Sequence, residues 1–274
     1  MSNSKRERPD ARETRLFFEA IEAGDLATVR QLLQTNHDLL FIHDDYYGSP
    51  VRAAIDYPYP EVADYLARLK LKALQEGGIP PGKLYGAIHD LGEAAHSATG
   101  YRGCEKLRAE AEPIVAGFLA HDEPQMRYIA ISVLSSHWDL SRYATLFQQM
   151  SLNDPDEYVR QIALSAVGFL LRGTRDHEAT RLLTSIFRDA GQPAWIREEA
   201  YEGLVEVWQG FDAAHALFLR KLRAEKPLRT AAEQAQTKSE KTRIERRVEE
   251  MWEGFVDWDF VAQVEREAKE RGRS

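Results

Sequence analysis

The sequence predicts an all-α protein: an α-solenoid of helix–turn–helix repeats that ends in a charged helical tail. Three observations carry that expectation. Apolar residues recur at helical spacing, interrupted by Gly-Asp and Pro breaks rather than by the alternation of strands. Short segments repeat at offsets of 33 to 37 residues, about the length of one helix pair with its turns. In 274 residues, 43% are hydrophobic and 29% charged, enough apolar material for a packed core.

Residues 1–13 are charged and carry no apolar run, so they are expected to be a disordered N-terminus without the features of a signal peptide. The first repeats occupy residues 14–110. Ala20-Ile21, Ala54-Ile55 and Ala87-Ile88 lie 34 and then 33 residues apart. Gly24-Asp25 breaks the first unit, and Val29, Leu32 and Leu33 then share one face of a second helix. Tyr57-Pro58-Tyr59-Pro60 breaks the second unit before the amphipathic run that begins at Glu61.

The segment Gly48-Ser49-Pro50-Val51-Arg52-Ala53-Ala54 resembles the ankyrin repeat, whose period is 33 and whose unit is a turn plus two antiparallel helices. Ser49 stands where that family has Thr, and Arg52 where it has His. The first unit lacks the Thr-Pro start, and the third lacks the Gly break. The acidic-aromatic stretch His43–Tyr47 falls where the family has its hairpin loop, and reads equally as a partner-binding loop or a solvated turn.

A second pattern fills residues 111–223. Arg127, Arg160 and Arg197 are each followed three residues later by Ala130, Ala163 and Ala200, then by a small or β-branched residue and an aliphatic one. Loops containing Pro124, Pro155 and Pro193 precede them, and Pro near the first turn opens a helix well. This resembles the HEAT repeat, best seen from Asp154 to Val167. The resemblance implies that Arg127, Arg160 and Arg197 form a structural ladder with aspartates of neighbouring repeats. Partner helices are expected at residues 111–120, 141–150, 177–189 and 211–223.

The tail, residues 224–274, is predominantly basic before Val248 and predominantly acidic after it. Its aromatic segment holds Trp252, Phe255, Trp258 and Phe260, expected either to fold back on the repeats or to dock on another chain.

Chemistry-bearing motifs are scarce. Gly-rich phosphate loops and nucleophile elbows are missing from the sequence. A lone Cys104 cannot form an internal disulfide and fits a reducing, cytoplasmic setting. No stretch approaches the length of a membrane span. His89, Glu93 and His96, at i, i+4 and i+7, share one helical face. Glu93 and His96 are half of a carboxylate-bridged di-iron motif, but no second Glu-x-x-His occurs, so a polar helix face is the favoured reading. Neither a metal nor a cofactor is expected.

A net charge of −8 disfavours nucleic acid as a partner. The leading expectation is a non-enzymatic protein-binding module, an adaptor or an immunity- or inhibitor-type protein. Its concave helical face is expected to hold Tyr128, Gln161 and Glu198, then Ser132, Ser165 and Glu202, an increasingly acidic stripe suited to a partner with a basic patch. Two alternatives stand beside it: a HEAT-like lyase or enzyme assistant such as a chromophore-attachment factor, and a scaffold that self-associates through its tail.

Overall fold

The computed structural model describes residues 10–79, 81–96, 104–234 and 237–271, and every regular element among them is helical. The chain divides into two compact units, residues 1–139 and 140–274. The division falls inside the stretch assigned from sequence to HEAT-like repeats, so Arg127 belongs to the first unit and Arg160 and Arg197 to the second.

In the first unit, α1 (Ala11–Glu22) starts inside the segment expected to be disordered, because the Asp10 carboxylate accepts from the Glu13 N–H and caps it. Residues 1–9 lie outside the described residues. Gly24 then turns the chain at φ +68°, with the Tyr59 ring packed where a side chain would stand. Asp25 caps α2 (Leu26–Thr35) by accepting from Ala27 and Thr28. A 3-10 turn, His37–Phe41, leads to a loop closed by the paired Asp44 and Gly48. In this loop Tyr47 stacks on Phe18 with ring centroids 4.8 Å apart, while Tyr46 points to solvent.

Ser49 caps α3 (Pro50–Asp56), which is followed by α4 (Pro60–Gln75) and α5 (Pro81–Ala94). Ser49 Oγ also donates to Asp90 at 2.7 Å, and Asp90 pairs with Lys70 in the interior. Two buried charges are tolerable there because each meets the other and Asp90 gains a hydroxyl donor. Residues 97–103 lie outside the described residues. Next come α6 (Cys104–Gly117), a 3-10 turn at Phe118–Ala120, and α7 (Pro124–Ser132). α7 runs directly into a π-helical turn, Val133–His137.

The second unit begins with a short 3-10 turn and pairs α8 (Ala144–Asn153) with α9 (Glu157–Leu170), then α10 (His177–Arg188) with α11 (Ala194–Gln209). Asp156 and Asp176 cap α9 and α10. Within the second pair, the buried indole of Trp208 on α11 donates to Thr180 Oγ1 on α10 at 2.9 Å.

α12 (Phe211–Gln234) passes through Pro227 and runs well beyond the expected end near Arg223. A proline inside a helix removes one backbone bond and costs about 3 kcal/mol. Burial of Ala214, Leu217 and Ala232 along one face offsets that cost.

α13 (Lys238–Met251), a 3-10 turn at Trp252–Phe255 and α14 (Trp258–Arg271) complete the chain. The tail folds back. Trp252 is 3% exposed, and Val261 and Val264 are buried. Trp252 and Trp258 both pack on Phe187 of α10, and the Tyr201 hydroxyl accepts from the Asp257 N–H at 2.8 Å. The tail's buried apolar residues after Met251, Trp252, Val256, Val261 and Val264, pack into the second unit.

Candidate functional site

The acidic stripe expected on the concave face belongs largely to α11, and the structure gives its carboxylates partners within the second unit. Glu198 and Glu202, one turn apart, converge on the ammonium of Lys221 from α12. Burial pushes the Glu198 carboxyl up, against the pull of Lys221, while Lys221 itself is raised by its two carboxylates despite burial. One ammonium thus engages both carboxylates within the unit and offsets one of their two charges.

Gln161 and Ser165, the matching positions of α9, both hydrogen-bond Glu199 instead of facing open solvent. Burial raises the Glu199 carboxyl to about 7, reinforced by the charge of Glu202. Glu206, two turns further along, is raised to about 7 by burial and by Glu199 and Glu202. Tyr128 and Ser132 lie on α7 of the first unit, Tyr128 at the surface and Ser132 half-buried.

The recurrent arginines act locally in the bonds described. Arg127 donates to the carbonyls of His121 and Asp122, and Arg160 to those of Asp154 and Pro155. Arg197 donates to the Phe187 carbonyl and pairs with Glu253. Each arginine thus ties down the chain preceding its own helix, satisfying carbonyls left over at a helix end or loop.

Of the tail aromatics, Trp252 is consumed by the core and cannot anchor a partner. Phe255 and Phe260 are half-buried. Trp258 is half-exposed, with the Arg188 guanidinium 5.2 Å from its ring centroid and Arg188 paired to Glu265.

A different surface stands out. Phe211, His215, Phe218 and Leu222 lie at i, i+4, i+7 and i+11 on α12 and form one stripe. Phe211, Phe218 and Leu222 are 50%, 45% and 47% exposed, and His215 is exposed as well. The ring of His215 stacks on Phe211 at 5.7 Å and on Phe218 at 6.4 Å, so the stripe is continuous. Lys226 and Arg229 continue the same face, both exposed. The opposite face carries Ala214, Leu217 and Lys221 against the unit's interior.

In the first unit, His89 and Glu93 of α5 meet His137 at the end of the π-turn. One ligand atom from each of these half-buried side chains lies within 4.8 Å of the other two. His137's ring centroid is 5.5 Å from that of His89 and 5.9 Å from that of His96. Gly92 makes the approach possible: a Cβ there would stand 2.8 Å from Val133 Cγ2 and 3.0 Å from His137 Nδ1. Burial lowers the pKa of His137 to about 4, with the neighbouring His89 and His96 acting in the same direction. Its Nδ1 is buried and has no hydrogen-bond partner among the described residues. Glu93 is held by Arg52 at 2.6 Å, and Arg52 is shared with Asp56 at 3.0 Å. The spacing of His89, Glu93 and His96 was legible in the sequence. His137 carried no motif, and only the fold brings it to them.

No helix among the described residues is long and apolar enough to cross a membrane. Comparison of the chain with protein-family models, with curated proteins and with solved structures finds no match.

Proposed function

We propose that this chain is a non-enzymatic helical-repeat protein of the solenoid type that binds another protein through the exposed stripe of α12. The observation that carries the reading is the continuous row Phe211, His215, Phe218 and Leu222. Monomeric proteins seldom leave such large apolar side chains contiguous at a surface, and where they do the patch commonly marks an interaction site. Aromatic side chains are also favoured anchors in protein interfaces, since they bury much area at little entropic cost.

The charge around the stripe refines the partner. Lys226 and Arg229 extend the apolar row, Arg229 paired to Glu225 one turn before it, with Arg223 also exposed nearby on the same helix. A partner that presents an apolar groove with acidic residues at one end fits this face. We favour it over the basic partner expected from Glu198 and Glu202, because both carboxylates already bond Lys221. An adaptor or inhibitor role suits a chain whose interaction surface is a rigid helix face rather than a catalytic cleft.

Affinity capture from the native host with the full-length chain tests the reading, using Phe218→Asp/Leu222→Asp beside Glu198→Lys/Glu202→Lys. The expected result is a specific partner that the first variant loses and that wild type holds at least tenfold more tightly, about 1.4 kcal/mol. Equal recovery by wild type and the folded Phe218→Asp/Leu222→Asp variant would contradict it.

A further inference from the structure

We propose that the pocket between α5 and the π-turn of the first unit is a binding site for a divalent transition-metal ion of the zinc class, held by His89, Glu93 and His137. This inference stands apart from the α12 reading and rests on different residues.

Two imidazoles and a carboxylate form a donor set suited to zinc and its neighbours in the first transition row, while calcium and magnesium prefer oxygen-only sites. In a tetrahedral zinc site with bonds of about 2.0–2.1 Å, donor atoms lie roughly 3.3–3.5 Å apart. The three donors here already lie within 4.8 Å of one another, so small side-chain rotations close the site. His89 and Glu93 come from one helical face, and His137 arrives from another element. The site is thus preassembled by tertiary packing rather than by a flexible loop.

Three further features fit the assignment. His137 Nδ1 is buried without a hydrogen-bond partner among the described residues, an arrangement that costs free energy unless something meets the nitrogen. Arg52 grips Glu93 at Oε2 and orients the carboxylate as an outer partner orients a metal ligand. Asp56 shares the charge of Arg52, which limits its repulsion of a cation. Finally, His137 ends a π-helical turn, an uncommon element that shifts the register of α7 and recurs at functional sites. Three protein donors leave a fourth position for water or another ligand.

The test uses the full-length chain, freed of any polyhistidine tag and stripped with chelator. Titration with Co²⁺ is followed by visible absorption and titration with Zn²⁺ by calorimetry. One equivalent is expected to bind, with the absorption of a four-coordinate Co²⁺ site. His89→Ala and Glu93→Gln, each checked by circular dichroism, are expected to weaken binding at least tenfold. His121→Ala, outside the cluster, is expected to leave it unchanged. These half-buried α5 positions decide the matter even if His137→Ala fails to fold. Lack of stoichiometric binding by wild type, or wild-type affinity in both folded α5 variants, would overturn the assignment.

Discussion

Gly168 of α9 and Gly203 of α11 meet where their helices cross, with the Gly203 Cα only 2.7 Å from the place a Gly168 Cβ would occupy. Paired glycines let two helix backbones approach more closely than side chains would permit. The contact sets the depth at which Glu206 sits, since its carboxylate would lie 2.6 Å from the same added carbon.

Gly168→Ala is therefore expected to destabilise the second unit by about 1–3 kcal/mol, because backbone must shift to admit the methyl. Gly203→Ala is expected to cost less, since its nearest obstacle is a terminal methyl of Leu183 at 3.1 Å. Gly86→Ala serves as the control. It lies on the exposed face of α5 with nothing within 4 Å, so it should stabilise by up to about 1 kcal/mol. Denaturant melts of the three variants check the order.

The tail is predicted to be part of the second unit's core rather than a detachable arm. Trp252→Ala should cost about 3–5 kcal/mol, as for other large buried aromatics. Trp258→Ala should cost distinctly less, because that ring is 48% exposed. Equal and small losses for both, measured by thermal or urea denaturation, would mean that the tail does not dock on Phe187.

A pH dependence follows from α11. Glu199 and Glu206 are raised from 4.5 to about 7, so the folded protein keeps protons that the unfolded chain has released. Their contribution is complete below pH 4.5 and is lost as pH rises through 7. Facing them are Gln161, Ser165 and Arg172 from α9 and its end, Glu202 from α11 itself, and Lys221 from α12. Glu199→Gln removes one ionisation and should recover stability on the order of 2 kcal/mol at pH 8 relative to pH 5. Melting curves of wild type and variant across that range check the slope; parallel curves would contradict it.

How much of this was legible in the sequence differs from element to element. The helix pairs were visible as apolar periodicity and Gly24-Asp25 as a break, while the capping roles of Asp25, Asp156 and Asp176 emerge only from the structure. The end of α12 was misread because Pro227 signals a break locally, while burial on both sides of it keeps the helix going. Glu198 and Glu202 read as an exposed stripe because sequence spacing places them on one face but cannot show Lys221 arriving from the next helix. The same limitation hid the α12 stripe: Leu217, Phe218 and Leu222 look alike in the sequence, yet Leu217 is 4% exposed and the other two nearly half. His137 was invisible as a partner of His89, since a π-turn and the packing of α7 on α5 join them.

Hydroxyl-radical footprinting of the chain, alone and with its captured partner, reads the α12 surface residue by residue. Phe211, His215, Phe218 and Leu222 are expected to lose reactivity together on binding, while the half-exposed Trp258 and the exposed Tyr46 keep theirs. Unchanged labelling along α12, with protection confined to another surface, would contradict binding through α12.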